Sequence, residues 1–125
     1  MSSPMPDDDA LVNIPVSFTS MTLYVRSNNI LHGFRNRDGS TNATFGDRIA
    51  LLHSEASEAL EAYRARGLES WDGPGGKPEG VASEFADVFI RLLDDCDLYG
   101  IDLEAEFFRK MEYNMGRPYK HGKAY

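Results

Sequence analysis

Glu55 and Glu58 stand three residues apart in His53-Ser-Glu-Ala-Ser-Glu-Ala-Leu-Glu-Ala-Tyr63. On a helix that spacing turns both carboxylates toward one face, about 60° apart. A second pair recurs in Glu84-Phe-Ala-Asp87. Like charges held beside a core repel, so each pair costs stability unless something positive answers it. Carboxylates from two helices, with no sulfur among them, are the donor set of Mg²⁺ (Mn²⁺ as a substitute) rather than zinc. His32, His53 and His121 are too scattered for a Glu-x-x-His di-iron signature. Mg²⁺ is commonly shared between protein carboxylates and substrate phosphates. The chemistry expected is therefore hydrolysis of a phosphate ester or anhydride by an activated water. Gly73-Pro-Gly-Gly-Lys77 lacks the spacing of a Walker loop, and neither Gly-x-Ser-x-Gly nor His-Glu-x-x-His occurs.

The elements that must position these acids follow from apolar periodicity. Ile49, Leu52, Ala56, Ala59, Leu60 and Tyr63 form one stripe of a helix from Thr44 or Asp47 to Arg66, with Gly67 as its stop and Glu55 at the stripe's border. A helix after Pro78 reaches Tyr99 and Gly100, with Val81, Phe85, Val88, Leu92 and Cys96 on one apolar face. Ahead of these, a looser pattern predicts a first helix from Ser17 or Thr19 to His32, ended by Gly33. Asp102 caps a fourth, Leu103 to Met115. Residues 1–16, with three prolines and Asp7-Asp-Asp9, are expected to be a flexible arm ahead of one domain at 17–125. The breaker-rich loop between Gly67 and Gly80 is too long for a tight helical hairpin, and its Trp71 is either a stacking surface or an anchor. Tyr63 and Tyr99 are expected in the core. No segment alternates with period two, so the class expected is all-α, most simply a four-helix bundle.

Charge is laid out unevenly. The formal total is −7, but residues 44–106 carry fifteen acids against five bases, whereas 107–125 carry one acid against five. An acidic body with a basic tail makes a poor duplex-binding surface. It suits a site whose acids hold metal while its tail holds phosphate; the plainer reading is a solvated acidic surface with a basic end. One cysteine excludes a disulfide framework and suits a reducing cytosol. No apolar run approaches the ~20 residues a membrane helix needs, and the acidic start lacks the order of a signal peptide.

The ordered set resembles the MazG-like all-α nucleoside triphosphate pyrophosphohydrolases. Glu55-Ala-Ser-Glu58 and Glu84-Phe-Ala-Asp87 match that family's two acidic motifs, and Lys110-Met-Glu-Tyr-Asn114 followed by Arg117-Pro-Tyr-Lys-His-Gly-Lys123 matches its carboxyl end. The likeness runs from about residue 28 to residue 123. It implies a magnesium site of Glu55, Glu58, Glu84 and Asp87, and a triphosphate-holding set of Lys110, Asn114, Arg117, Tyr119 and His121. It also implies cleavage between the α- and β-phosphates and assembly as a homodimer or homotetramer. Some members place a further acid directly before the first pair; here Ser54 stands there, and Glu55 is taken as the base. Arg91, one turn after Asp87, is expected to pair with an acid or touch a phosphate, while Asn29, with Asn28 and Phe34, is placed to meet a base. Two other readings stay open at this level: a nucleotide-binding regulator without turnover, which Ser54 favours, and a helical interaction module whose acids are surface charge.

Overall fold

The computed structural model describes residues 16–124, so nearly all of the expected amino-terminal arm lies outside the described residues. Helix α1 spans Phe18–Leu31, α2 Phe45–Arg66, α3 Val81–Tyr99 and α4 Leu103–Met115; strands β1 (Trp71–Asp72) and β2 (Pro78–Glu79) lie between α2 and α3. The all-α expectation holds for class, and the four helices fall where periodicity put them to within a residue or two.

Side chains set the starts. Ser17 and Ser20 exchange hydrogen bonds with each other's backbone N–H at 3.0 Å, and Thr44 and Asp47 do the same at 3.1 Å. Each capping box satisfies two N–H groups that a helix start leaves without partners. Asp102 accepts from Ala105 N at 3.0 Å. Helix α3 starts differently from expectation. Pro78 is not in its first turn but pairs with Asp72 in an antiparallel ribbon, with Trp71 opposite Glu79. Gly80 then caps the helix at φ 115°, and a Cβ there would lie 2.5 Å from the Glu69 carbonyl oxygen. Only glycine fits both that angle and that approach. The ribbon was invisible to periodicity because strands of two residues have no period.

Helix α3 is the hub, with α2 packed along it, α1 on another side and β2 against its beginning. Helix α4 makes no extensive contact with any of these three. The buried apolar set is correspondingly small: Val25, Ala59, Val81, Leu93 and Cys96. Tyr63 and Tyr99, expected in the core, are 56% and 39% exposed, and Phe85 is 63% exposed. Their stripes are real, but among the described residues nothing covers their outer flanks. The tail closes into a 3₁₀ turn at Tyr119–Gly122.

Among the buried residues are also Arg35, Arg48, Asp94 and Asp95. Arg35 Nη1 donates to Asp97 Oδ2 at 2.8 Å and to Asp94 Oδ1 at 3.2 Å. Arg48 pairs with both Asp94 and Asp95, and Arg26 Nε donates to Asp97 Oδ2 at 2.8 Å. This ladder fastens α1, the 33–43 loop and the start of α2 to the end of α3. Charges taken out of water cost free energy unless each is matched, and here three arginines answer three aspartates.

Candidate metal centre

The α2–α3 seam brings the acids together. Glu55, Glu58 and Glu84 each offer a carboxylate oxygen, and these oxygens lie within 4.8 Å of one another. Glu55 is buried, Glu84 half-buried and Glu58 exposed, so the group opens to solvent on one side. Glu55 Oε2 and Glu84 Oε2 are buried with no hydrogen-bond partner. A buried acceptor without a partner is costly and calls for an ion, a water or a proton. Carboxylates from two helices, two of them with an unpartnered buried oxygen, could hold a metal ion.

The electrostatics divide the acids by role. Burial, then the neighbouring Glu58, Asp87 and Glu55, push Glu84 up to about 7. Below that pH the Glu84 carboxyl holds a proton when no cation is present. Burial is the largest influence on Glu55 and pushes it upward, but Arg91, together with hydrogen bonding to Glu58 and Glu84, holds the group below the usual carboxylate range. Arg91 Nε donates to Glu55 Oε1 at 2.7 Å. Asp87 is raised by burial and by Glu55, against the counter-pull of Arg91 and Lys77. It neighbours the convergent group but is not one of the three whose oxygens meet.

A cleft of about 350 Å³ adjoins this centre, lined by Asn29, Phe34, Arg48, Glu55, Asp87 and Arg91 among others. The structure thus gathers Asn29 and Phe34 from the first helix and its following turn with the acids and Arg91. Trp71 is elsewhere. Its Nε1–H donates to Glu79 Oε2 at 2.7 Å, and the Arg66 guanidinium lies 4.3 Å from its ring centroid. Both contacts make it the pin of the ribbon. Lys110 lines an apolar groove with Phe18, Phe89 and Phe107. Arg117 stacks on the Tyr113 ring at 5.6 Å, and Tyr119 is exposed. Neither these nor Asn114 lines the cleft; the His121 side chain is outside the described ones.

Sequence reading passed over Arg48 and Asp94, which line the cleft, and Lys77, whose charge reaches Asp87. A signal for the first two existed: Asp94-Asp95-Cys-Asp97 puts three acids around the apolar face of α3. Acids at such positions require bases from another element.

Compared with protein-family models, with curated proteins and with solved structures, the chain finds no match in any of the three.

Proposed function

We propose that this chain is a Mg²⁺-dependent nucleoside triphosphate pyrophosphohydrolase, releasing a nucleoside monophosphate and pyrophosphate, as the MazG-like resemblance implies. The observation that carries the reading is the convergence of Glu55, Glu58 and Glu84 within 4.8 Å, two of them with buried unpartnered oxygens, at the edge of a cleft. These three residues hold the cation, with Asp87 as the fourth acid of the set. When bound, Mg²⁺ supplies positive charge to the phosphoryl oxygens and lowers the pKa of a bound water. Glu55 is kept ionised by Arg91, and with Oε1 bonded to Arg91 and Oε2 given to the cation it leaves the proton of the attacking water to another acid of the set. The remaining N–H donors of Arg91 meet phosphate oxygens, and Asn29 and Phe34 contact the base across the cleft.

Lys110, Asn114, Arg117, Tyr119 and His121 complete the phosphate contacts in an assembled homo-oligomer rather than within one chain. Supporting that assembly, α4 and the tail expose Phe107, Phe108, Met111, Tyr113 and Met115, each 45% or more accessible, over a chain with a small core. Apolar surface on this scale is the mark of an interface. A second copy laid on it would also close the four-helix bundle; a monomer in sedimentation equilibrium at micromolar concentration would remove this part of the proposal. The single thiol suits a reducing cytosol, and among the described residues no helix is long and apolar enough to cross a membrane.

The deciding assay is pyrophosphate release from a panel of canonical, deoxy and modified triphosphates with Mg²⁺. Glu58→Gln and Asp87→Asn should lose turnover while remaining folded. A second reading, a regulator that binds nucleotide without cleaving it, draws on Ser54, whose hydroxyl is turned onto the Leu51 carbonyl at 2.8 Å and supplies no acid. Tight binding of every triphosphate in the panel without turnover would favour it.

A further inference from the structure

Arg91 stands where it can decide which oxygen of Glu55 a cation meets. It projects from α3 one turn after Asp87 and crosses the seam to α2, where its Nε donates to Glu55 Oε1 at 2.7 Å. Glu55 is 8% exposed, and its other oxygen, Oε2, is buried with no partner. The carboxylate is thereby split in function, one oxygen engaged by a guanidinium and the other buried without a partner, on a residue that converges with Glu58 and Glu84. A carboxylate with both oxygens free can turn about its last torsion, which is broad, and can offer one oxygen or two. A planar guanidinium bonded through Nε removes that freedom, because its donors are fixed relative to one another.

We infer that Arg91 is a positioning residue of the metal centre, orienting Glu55 so that Oε2 alone is presented to a divalent cation. The inference rests on the metal reading above. It makes a claim opposite in sign to simple charge balance. Removing a positive charge from beside an acidic group should tighten cation binding if Arg91 were only a counter-charge. If Arg91 orients a ligand, its removal weakens binding instead, by the ~10-fold or more typical of losing a group that holds a metal ligand in place.

The test is Mn²⁺ titration of the full chain, without nucleotide, followed by the electron paramagnetic resonance signal of free Mn²⁺ and by calorimetry. Wild type, Arg91→Met and Arg91→Lys are compared, with circular dichroism confirming the fold of each. The expected result is at least ~10-fold weaker binding by Arg91→Met and an intermediate loss for Arg91→Lys, which keeps the charge but not the Nε geometry. Should Arg91→Met not fold, Arg91→Lys carries the test alone, and binding equal to wild type would overturn the inference. Equal or tighter binding by Arg91→Met would overturn it too, leaving Arg91 a counter-charge at a site that still takes metal. Wild type failing to bind Mn²⁺ would instead remove the metal reading, and the inference with it.

Discussion

Arg35 and Asp97 lie 62 residues apart in the chain, and the guanidinium Nη1 sits 2.8 Å from the carboxylate. The hydrogen bond from Arg26 is the larger influence on Asp97, and with Arg35 it holds that carboxyl down to about 2 against the opposing effect of burial. A carboxyl depressed in the folded state contributes stability above its unfolded value near 3.9, and that stability is lost as pH falls toward the folded value. The share resting on Asp97 should therefore disappear between about pH 4 and pH 2. It amounts to roughly 1–2 kcal/mol once solvent around the half-exposed Arg26 is allowed for. Urea unfolding of wild type and Asp97→Asn across that range reads it: the variant should be less stable at pH 7 and show a shallower acid limb. Parallel limbs in the two proteins would mean that the arginines do not hold this carboxyl.

Glu84 is expected to behave in the opposite sense. Its carboxyl is raised to about 7 by burial and by its acidic neighbours, so its contribution to the metal-free fold is full below the unfolded value near 4.3 and is lost as pH rises through 7. Glu84→Gln, which mimics the protonated form, should flatten that slope and raise the melting temperature at pH 8, an effect on the order of 1–2 kcal/mol. The same variant should lose most of the stabilisation that wild type gains from millimolar Mg²⁺. Unchanged melting of wild type with Mg²⁺ at pH 8 would leave the acid group without a cation.

Gly80 carries a backbone demand that no other residue meets. With φ at 115° and the Glu69 oxygen 2.5 Å from where a Cβ would stand, Gly80→Ala should destabilise the fold by about 2 kcal/mol or more. Thermal unfolding measures it, and the damage should be felt at the ribbon and at the start of α3, where Glu84 and Asp87 sit. A variant as stable as wild type would show that the ribbon can move aside.

Helix positions and the acid pairs were legible in the sequence because both express a period of 3.6 residues, which charges and apolar groups report alike. Glu55 at the border of its stripe was legible for the same reason, and it is buried as that border implies. The Arg26, Arg35 and Arg48 ladder was not legible. A salt bridge across 46 to 71 residues has no local spacing, and Arg35 falls between the two periodic segments that end at Gly33 and begin near Thr44. Trp71 had two readings from sequence alone, and only its bond to Glu79 and stacking with Arg66 separate anchor from stacking surface. The exposed flanks at Tyr63 and Phe85 mark where periodicity predicts burial that the described residues do not supply.

On the function proposed here, the Glu55, Glu58 and Glu84 centre serves cleavage of a triphosphate at its α–β bond. A nucleoside triphosphate carrying separate labels on its α- and γ-phosphorus, incubated with the full chain and Mg²⁺, tests this most directly. The α-label should appear in monophosphate and the γ-label in pyrophosphate, in step, with no diphosphate accumulating and no turnover in Glu58→Gln. Orthophosphate as the first γ-labelled product, or equal rates in wild type and Glu58→Gln, would contradict it.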